Sequence, residues 1–197
     1  MRVIAGTAKG CKLNSIEDLS TRPTLDRVKE PLFSIIQNYI KDANVLDLFA
    51  GSGALGIEAL SRGAKHCTFC DKSYKAIQMV KENILKTKMQ EKSTILNKDY
   101  KKCLEEMQES FDIIFIDPPY KEDIAISSIN QILEKSLLSK SGIIILETDE
   151  EEREIKELEN VSKLEVYDKR KYGRVKLLFL CRKAKWKNLH LSSLCKF

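Results

Sequence analysis

Between residues 44 and 146 the chain alternates two patterns. Short, mostly apolar runs at 45–49, 66–70, 94–96, 113–116 and 143–146 read as buried strands. Between them lie stretches whose apolar residues recur at helical spacing. One such stretch runs from a glycine-rich loop at 51–56 to about Arg62, where Gly63 stops it. A longer one is opened by Ser73 and places Ile77, Val80 and Ile84 on one face. Others are predicted near 101–109 and 124–138, the last leading through Gly142 into the fifth strand. Strands of this kind, alternating with helices, predict an α/β fold with a mostly parallel sheet covered on both faces.

The two ends read differently. Residues 2–6 form a β-like run, 7–10 a turn and 11–13 a return strand, followed by a polar loop to about 24. A helix is expected from about Leu25 with Thr24 as its cap, and Pro31 is expected to kink it or to push its start towards residue 30. Residues 163–170 and 174–182 flank Tyr172-Gly173 as an antiparallel hairpin, and 184–197 form a basic tail.

Composition narrows the class. The 197 residues suit one domain, and 43% hydrophobic with 32% charged residues is a folded, soluble composition. The net charge of +5 is gathered at the ends: Arg2, Lys9, Lys12, Arg22, Arg27 and Lys29 oppose only three acids in residues 1–29, and nine Lys or Arg fall within 169–187. Such ends could frame a surface for a polyanion, with Lys9 and Lys12 as candidate RNA contacts. Cys67 and Cys70 form a C-x-x-C pair, yet no second pair accompanies it and it lies in a predicted strand, so no metal site is expected. Six scattered cysteines suggest a reducing compartment. With no apolar run of membrane length and no signal-like opening, a cytoplasmic protein without membrane attachment is expected.

Gly51, Gly53 and Gly56 make a G-x-G-x-x-G between strand and helix, and Asp71 stands 20 positions after Gly51 at the end of the next strand. This arrangement binds an adenosine-containing cofactor at the carboxyl edge of a sheet, with Asp71 accepting from the ribose hydroxyls. The motif alone does not choose between NAD and S-adenosylmethionine (SAM). Asp47 within the preceding strand favours SAM, because a carboxylate suits the charged methionine end and would repel a pyrophosphate. Asp99, ending the third strand, is placed to accept from an adenine amino group or to cap the following helix, or both. Phe49, Ser52 and Tyr100 complete the candidate cofactor set.

Asp117-Pro118-Pro119-Tyr120 follows the fourth strand and so reaches the same edge. An exocyclic amine has its lone pair delocalised into the ring and is a poor nucleophile. Asp117 and the Pro118 carbonyl can accept its two N–H bonds, aiming the lone pair at a methyl donor. Pro119 stiffens the turn and Tyr120 can stack on an extruded base. These four are the candidate catalytic residues.

Taken together, RVIAG at 2–6, RPTLDRVKE at 22–30, DLFAGSGALGIEA at 47–59, DPPY at 117–120 and Tyr172-Gly173 resemble the RsmD family of bacterial 16S ribosomal RNA methyltransferases. The resemblance implies a Rossmann-like class I fold. It would have a mostly parallel seven-stranded sheet, an antiparallel C-terminal hairpin and a small N-terminal β-hairpin extension. The implied organisation is an extension at 1–24, a SAM-dependent methyltransferase domain at 25–183 and a tail at 184–197. The resemblance also implies methyl transfer from SAM to the N2 of a guanine in 16S rRNA, either as free rRNA or in a small-subunit assembly particle, by a monomer. It places Arg22, Thr24 and Arg27 beside the active site as RNA-binding residues. Alternatives are a DNA adenine-N6 methyltransferase, for which the chain leaves little room to read sequence, and a protein-glutamine methyltransferase, which would carry Asn in place of Asp117. A third is a non-catalytic RNA-binding assembly protein.

Overall fold

The computed structural model describes residues 1–15, 24–118, 124–161, 163–173 and 175–183, with the side chains of 24–27 left aside. In chain order the elements are α1 (Thr24–Ile35), α2 (Gln37–Ile40), β1 (Asn44–Asp47), α3 (Ala54–Ser61), β2 (His66–Asp71), α4 (Tyr74–Thr87), β3 (Ser93–Asn97), α5 (Tyr100–Glu106), β4 (Phe111–Ile116), α6 (Ile124–Glu134), β5 (Leu138–Thr148), α7 (Glu151–Glu159), β6 (Leu164–Tyr172) and β7 (Val175–Arg182).

Seven strands form one sheet in the order β3-β2-β1-β4-β5-β7-β6. The first five are parallel, and β7 and β6 close the sheet in antiparallel fashion. The order reverses at β1, where the strands lead outward to β2 on one side and β4 on the other. That reversal opens a crevice at the carboxyl ends of β1 and β4. Alternating strand residues supply two apolar layers. Val45, Phe69, Ile113, Phe115 and Phe179 face the layer that holds α1 and α3. Leu46, Ile114, Ile116, Ile144 and Leu178 face the layer that holds α5 and α6.

Three elements depart from the sequence reading. Pro31 lies inside α1, which starts at Thr24, beside the expected Leu25, and is not pushed towards residue 30; Val28, Leu32 and Phe33 are buried, and their burial outweighs the lost backbone bond. Gly142 is an interior residue of β5 rather than a turn before it. The backbone of β4 passes so close that a Cβ on Gly142 would lie 2.9 Å from the Phe111 carbonyl oxygen. Helix α7 went unrecognised because it buries only Leu158 and carries no apolar stripe.

The N-terminal segment folds back on itself: Arg2 bridges Lys12, the Val3 N–H donates to Cys11 O at 3.0 Å, and Gly10 N–H donates to Val3 O at 2.9 Å. Its tip is docked on the end of α3, where Thr7 N–H donates to Ser61 O at 2.8 Å and the Ser61 hydroxyl donates to Ala5 O at 2.6 Å. Gly6 makes this approach possible. Its φ is +82°, and a Cβ there would sit 1.7 Å from Ser61 O. Gly6→Ala is therefore expected to lower unfolding free energy by more than the ~1–2 kcal/mol of the left-handed conformation alone, read as a lower urea midpoint. An unchanged midpoint would mean that the hairpin is not held at Ser61.

Candidate active site

The crevice contains a cavity of about 660 Å³. Phe49, Gly51, Asp71, Asp99, Tyr100, Asp117 and Pro118 all line it, so residues from four separate strand ends meet in one place. Each follows or ends a parallel strand, and parallel strands deliver their carboxyl ends to one edge.

The glycine loop takes its shape from backbone conformations that favour glycine, with φ +54° at Gly51 and +77° at Gly53. A Cβ on Gly51 would meet nothing within 4 Å, so the loop offers bare backbone to the cavity. Gly56 belongs to α3 rather than to the loop; a Cβ there would lie 2.3 Å from the Phe69 ring, which fixes how closely α3 packs on β2. Asp71 organises the rim. Its Oδ2 accepts from Gly51 N–H at 2.9 Å and its Oδ1 from Ser73 N–H at 2.8 Å. Asp99 caps α5 by accepting from Lys101 N–H at 2.9 Å while still lining the cavity. Phe49 and Tyr100 pack against each other in the lining, with ring centroids 5.6 Å apart and ring planes tilted by 45°, and the Tyr100 hydroxyl donates to Ser127 Oγ at 3.3 Å.

Asp47, Ser52 and Gly53 are not lining residues. Asp47 is buried beneath the loop and accepts from Gly56 N–H at 3.0 Å. It is still within the strand rather than beyond its end, so its side chain enters the α3 layer. Burial, the largest influence, pushes its carboxyl up to about 7; the Gly56 bond opposes this and the Asp71 charge adds to it. The folded protein therefore holds this proton more tightly than the unfolded chain does. The contribution is fully present below pH 4 and is lost as pH rises to about 7. Asn at position 47 can accept the same N–H without titrating. The stability of wild type relative to Asp47→Asn should thus fall by about 2–3 kcal/mol between pH 5 and pH 8, measured by urea unfolding. Parallel pH profiles would contradict the buried, proton-holding carboxyl.

Ser52 is buried and its carbonyl accepts from Asn83 Nδ2 at 2.9 Å. Asn83 also exchanges bonds with Asn14, at 2.7 Å and 3.0 Å, tying the N-terminal segment to the loop through α4. Lys9 and Lys12 are exposed. Lys9 lies in the turn docked at Ser61, the far end of the eight-residue α3 from the glycine loop, and so about 12 Å along the helix from it. The structure does not gather these two lysines at the cavity. Arg22, Pro119 and Tyr120 lie outside the described residues, as do the side chains of Thr24 and Arg27 and the tail 184–197.

Sequence reasoning missed several lining residues: Lys72, Ser73, Lys98, Lys101 and Ile124. A usable signal existed for the first four, since each lies within two residues of Asp71 or Asp99 at the ends of β2 and β3. It also missed a buried charge centre behind the loop. Lys29 and Glu58 are an ion pair at 3.1 Å with both side chains 0% exposed. Glu58 further accepts from Ile4 N–H at 2.8 Å, Ala5 N–H at 3.0 Å and Arg62 Nε at 2.8 Å, while Lys29 Nζ donates to Arg2 O at 2.6 Å. Residues of three of the recurring sequence blocks, 2–6, 22–30 and 47–59, thus meet at one ionic knot.

Cys67 and Cys70 are free thiols in β2. The Cys103 thiol beside Cys70, together with burial, pushes Cys70 well up, which disfavours thiolate chemistry. Among the described residues no group of three or more His, Cys, Asp or Glu could hold a metal, and no helix is long and apolar enough to cross a membrane.

Comparison with known proteins agrees with this architecture. The family model described as Conserved hypothetical protein 95 matches residues 1–181. The Bacillus subtilis protein YlbH, named as a candidate rRNA methyltransferase, is 42% identical over 176 residues, covering 88% of this chain and 94% of YlbH. The Escherichia coli ribosomal RNA small subunit methyltransferase D is 34% identical over 151 residues, covering 77% of this chain and 76% of that protein. Among solved structures, the Escherichia coli protein yhhF, named as a candidate methyltransferase, superposes with a TM-score of 0.79 at 28% identity, covering 94% of this chain and 99% of that one. A family match over nearly the whole chain, close relatives that are rRNA methyltransferases by name, and a class I sheet with its crevice at the glycine loop lead to one assignment: the chain belongs to the RsmD family of ribosomal RNA methyltransferases.

Proposed function

We propose that the protein transfers a methyl group from SAM to the exocyclic N2 of a guanine in 16S rRNA, acting as a cytoplasmic monomer on the rRNA or on a small-subunit assembly particle. The observation that carries the reading is the convergence of Gly51, Asp71, Asp99, Asp117 and Pro118 on one cavity at the sheet's switch point. A nucleoside cofactor fits this lining. Asp71 retains acceptor capacity for ribose hydroxyls, Asp99 for an adenine amino group, and the Phe49–Tyr100 pair offers an aromatic floor. Carboxylates at three corners suit a cationic cofactor and disfavour a pyrophosphate.

When bound, SAM supplies an electrophilic methyl group on a sulfonium. The protein's part is orientation. Asp117 Oδ and the Pro118 carbonyl accept the two N–H bonds of the guanine amino group, which turns the nitrogen lone pair towards the donor. No base is needed before attack. Taking up the methyl group that bound SAM would supply makes the nitrogen cationic. Its surplus proton then passes to Asp117. On the family resemblance, Arg22, Thr24 and Arg27 contact the RNA and Tyr120 stacks on the extruded guanine.

The test offers tritiated SAM and purified protein to small ribosomal subunits, free 16S rRNA and duplex DNA from cells lacking the gene. Label recovered as N2-methylguanosine from 16S rRNA is the expected result. Label recovered as N6-methyladenine from DNA would overturn the substrate.

A further inference from the structure

The longest helix in the described structure is α4, and the activity derived above makes no use of its outward face. Its sheet-facing side is occupied by Ala76, Ile77, Val80, Asn83, Ile84 and Thr87, all buried. Its outward side is unusual in two independent respects. First, residues 72–92 hold six lysines and two glutamates, a net +4 in a chain whose whole net charge is +5. Lys72, Lys75, Lys81, Lys88 and Lys92 are all exposed or at the cavity rim, and none is ion-paired with another described residue. Glu82, the one acid on the helix itself, is engaged by Asn14 Nδ2 at 2.6 Å. Second, the two large apolar side chains left most open to solvent among the described residues are Tyr74, 68% exposed, and Leu85, 64% exposed, and both lie on this helix. Tyr74, Lys81 and Leu85 recur at helical spacing and share one stripe, flanked by Lys75 and Lys88. The stripe is attached to the site, because Lys72 and Ser73, immediately before Tyr74, line the cavity.

We propose that the outward face of α4 is a docking track for single-stranded RNA. Lys75, Lys81 and Lys88 take the sugar–phosphate backbone and Tyr74 stacks on an unpaired base next to the cavity rim. Unpaired lysines beside an exposed aromatic ring are the chemistry of sequence-tolerant RNA binding: cations neutralise phosphates, and the ring offers a face to any base. A protein partner would favour a contiguous apolar patch, whereas Tyr74 and Leu85 are separated by charged residues. The proposal rests on the rRNA methyltransferase reading for the identity of the RNA, and it deepens that reading by placing substrate on the β2–β3 side of the cavity as well as beside Asp117.

The test is equilibrium filter binding of a 16S rRNA transcript at several salt concentrations, without SAM. It compares the wild-type protein with the triple variant Lys75→Ala/Lys81→Ala/Lys88→Ala and with Tyr74→Ala. Calorimetric SAM affinity, which these surface changes should leave within twofold, checks that the variants are folded. Three lost phosphate contacts should make the slope of log affinity against log salt shallower by about 2 and weaken binding at least about tenfold at moderate salt. Tyr74→Ala should weaken binding about fivefold or more with no change of slope. Affinities within twofold and equal slopes for wild type and triple variant would overturn the proposal. So would a loss seen only in a parallel cosedimentation assay with assembled small subunits and not with free transcript, which would make a ribosomal protein the occupant. Methyl transfer is scored separately: a wild-type protein that binds RNA through α4 but methylates none would sink the enzymatic reading and leave the track standing.

Discussion

Replacing Asp117 with alanine is expected to slow methyl transfer by about 10²–10³-fold, with the fold and the affinity for SAM intact. The expectation follows from what an exocyclic amine requires. Its nitrogen is conjugated with the ring, and attack demands that the lone pair leave that conjugation at the moment the methyl group arrives. A carboxylate fixed at the end of β4 makes that geometry available without reorganisation, and the adjoining Pro118 carbonyl supplies the second acceptor. Alanine removes one acceptor and the proton's destination together. Asp117→Asn keeps an acceptor oxygen but loses the charge and gains a donor, so it should recover only part of the rate. The loss should appear in kcat, with KM for RNA changed little, because the contact matters most as the nitrogen pyramidalises. A single-turnover rate for Asp117→Ala within tenfold of wild type would remove Asp117 from the chemistry.

Glu58→Ala is expected to have the largest effect on stability, about 3–5 kcal/mol. One carboxylate there serves Lys29, Arg62 and the amides of Ile4 and Ala5. Its removal leaves the Lys29 ammonium with no exposure and, among the described residues, only the Arg2 carbonyl as partner. Breaking a buried pair from one side costs more than replacing both members. The double variant Lys29→Met/Glu58→Leu should therefore be more stable than Glu58→Ala, although Ile4 and Ala5 N–H stay unsatisfied in both. Urea unfolding of the three proteins measures this. A cost for Glu58→Ala below about 1 kcal/mol would mean that water replaces the carboxylate, and the knot would no longer explain how the N-terminal segment is held.

The same two residues show what the sequence could and could not disclose. The parallel sheet, the glycine loop, Asp71 and the place of Asp117 were legible because each is a local pattern: apolar runs, a G-x-G-x-x-G at a strand end, an acid at or just after another strand end. Parallel topology then carries those ends to one edge without further information. Lys29 and Glu58 carry no local signal. Each lies at an unremarkable position in a helix, and their partnership exists only because the N-terminal segment is laid along α3. Asp47 reads from the sequence as a carboxylate that helps to fix the charged methionine end of the cofactor; one strand position decides whether a side chain enters the crevice or the α3 layer, and Asp47 enters the latter, beneath the loop and outside the cavity lining. Helix α7 was invisible for the opposite reason: it buries a single residue, so its formation depends on charge and on packing against β6 rather than on periodicity. Lys9 reads from the sequence as an RNA contact on a basic N-terminal surface, and no local pattern says how far that surface lies from the cavity. The docking of its turn at Ser61 carries it to the other end of α3.

The most direct test of the central claim is made in cells. Nucleosides from 16S rRNA would be quantified by mass spectrometry in a strain lacking the gene and in the same strain supplied with wild-type protein or with Asp117→Ala. The account predicts that N2-methylguanosine falls by one residue per 16S rRNA in the deletion, returns with the wild-type protein and does not return with the variant. Unchanged N2-methylguanosine in the deletion, or equal restoration by both proteins, would contradict methyl transfer by this site.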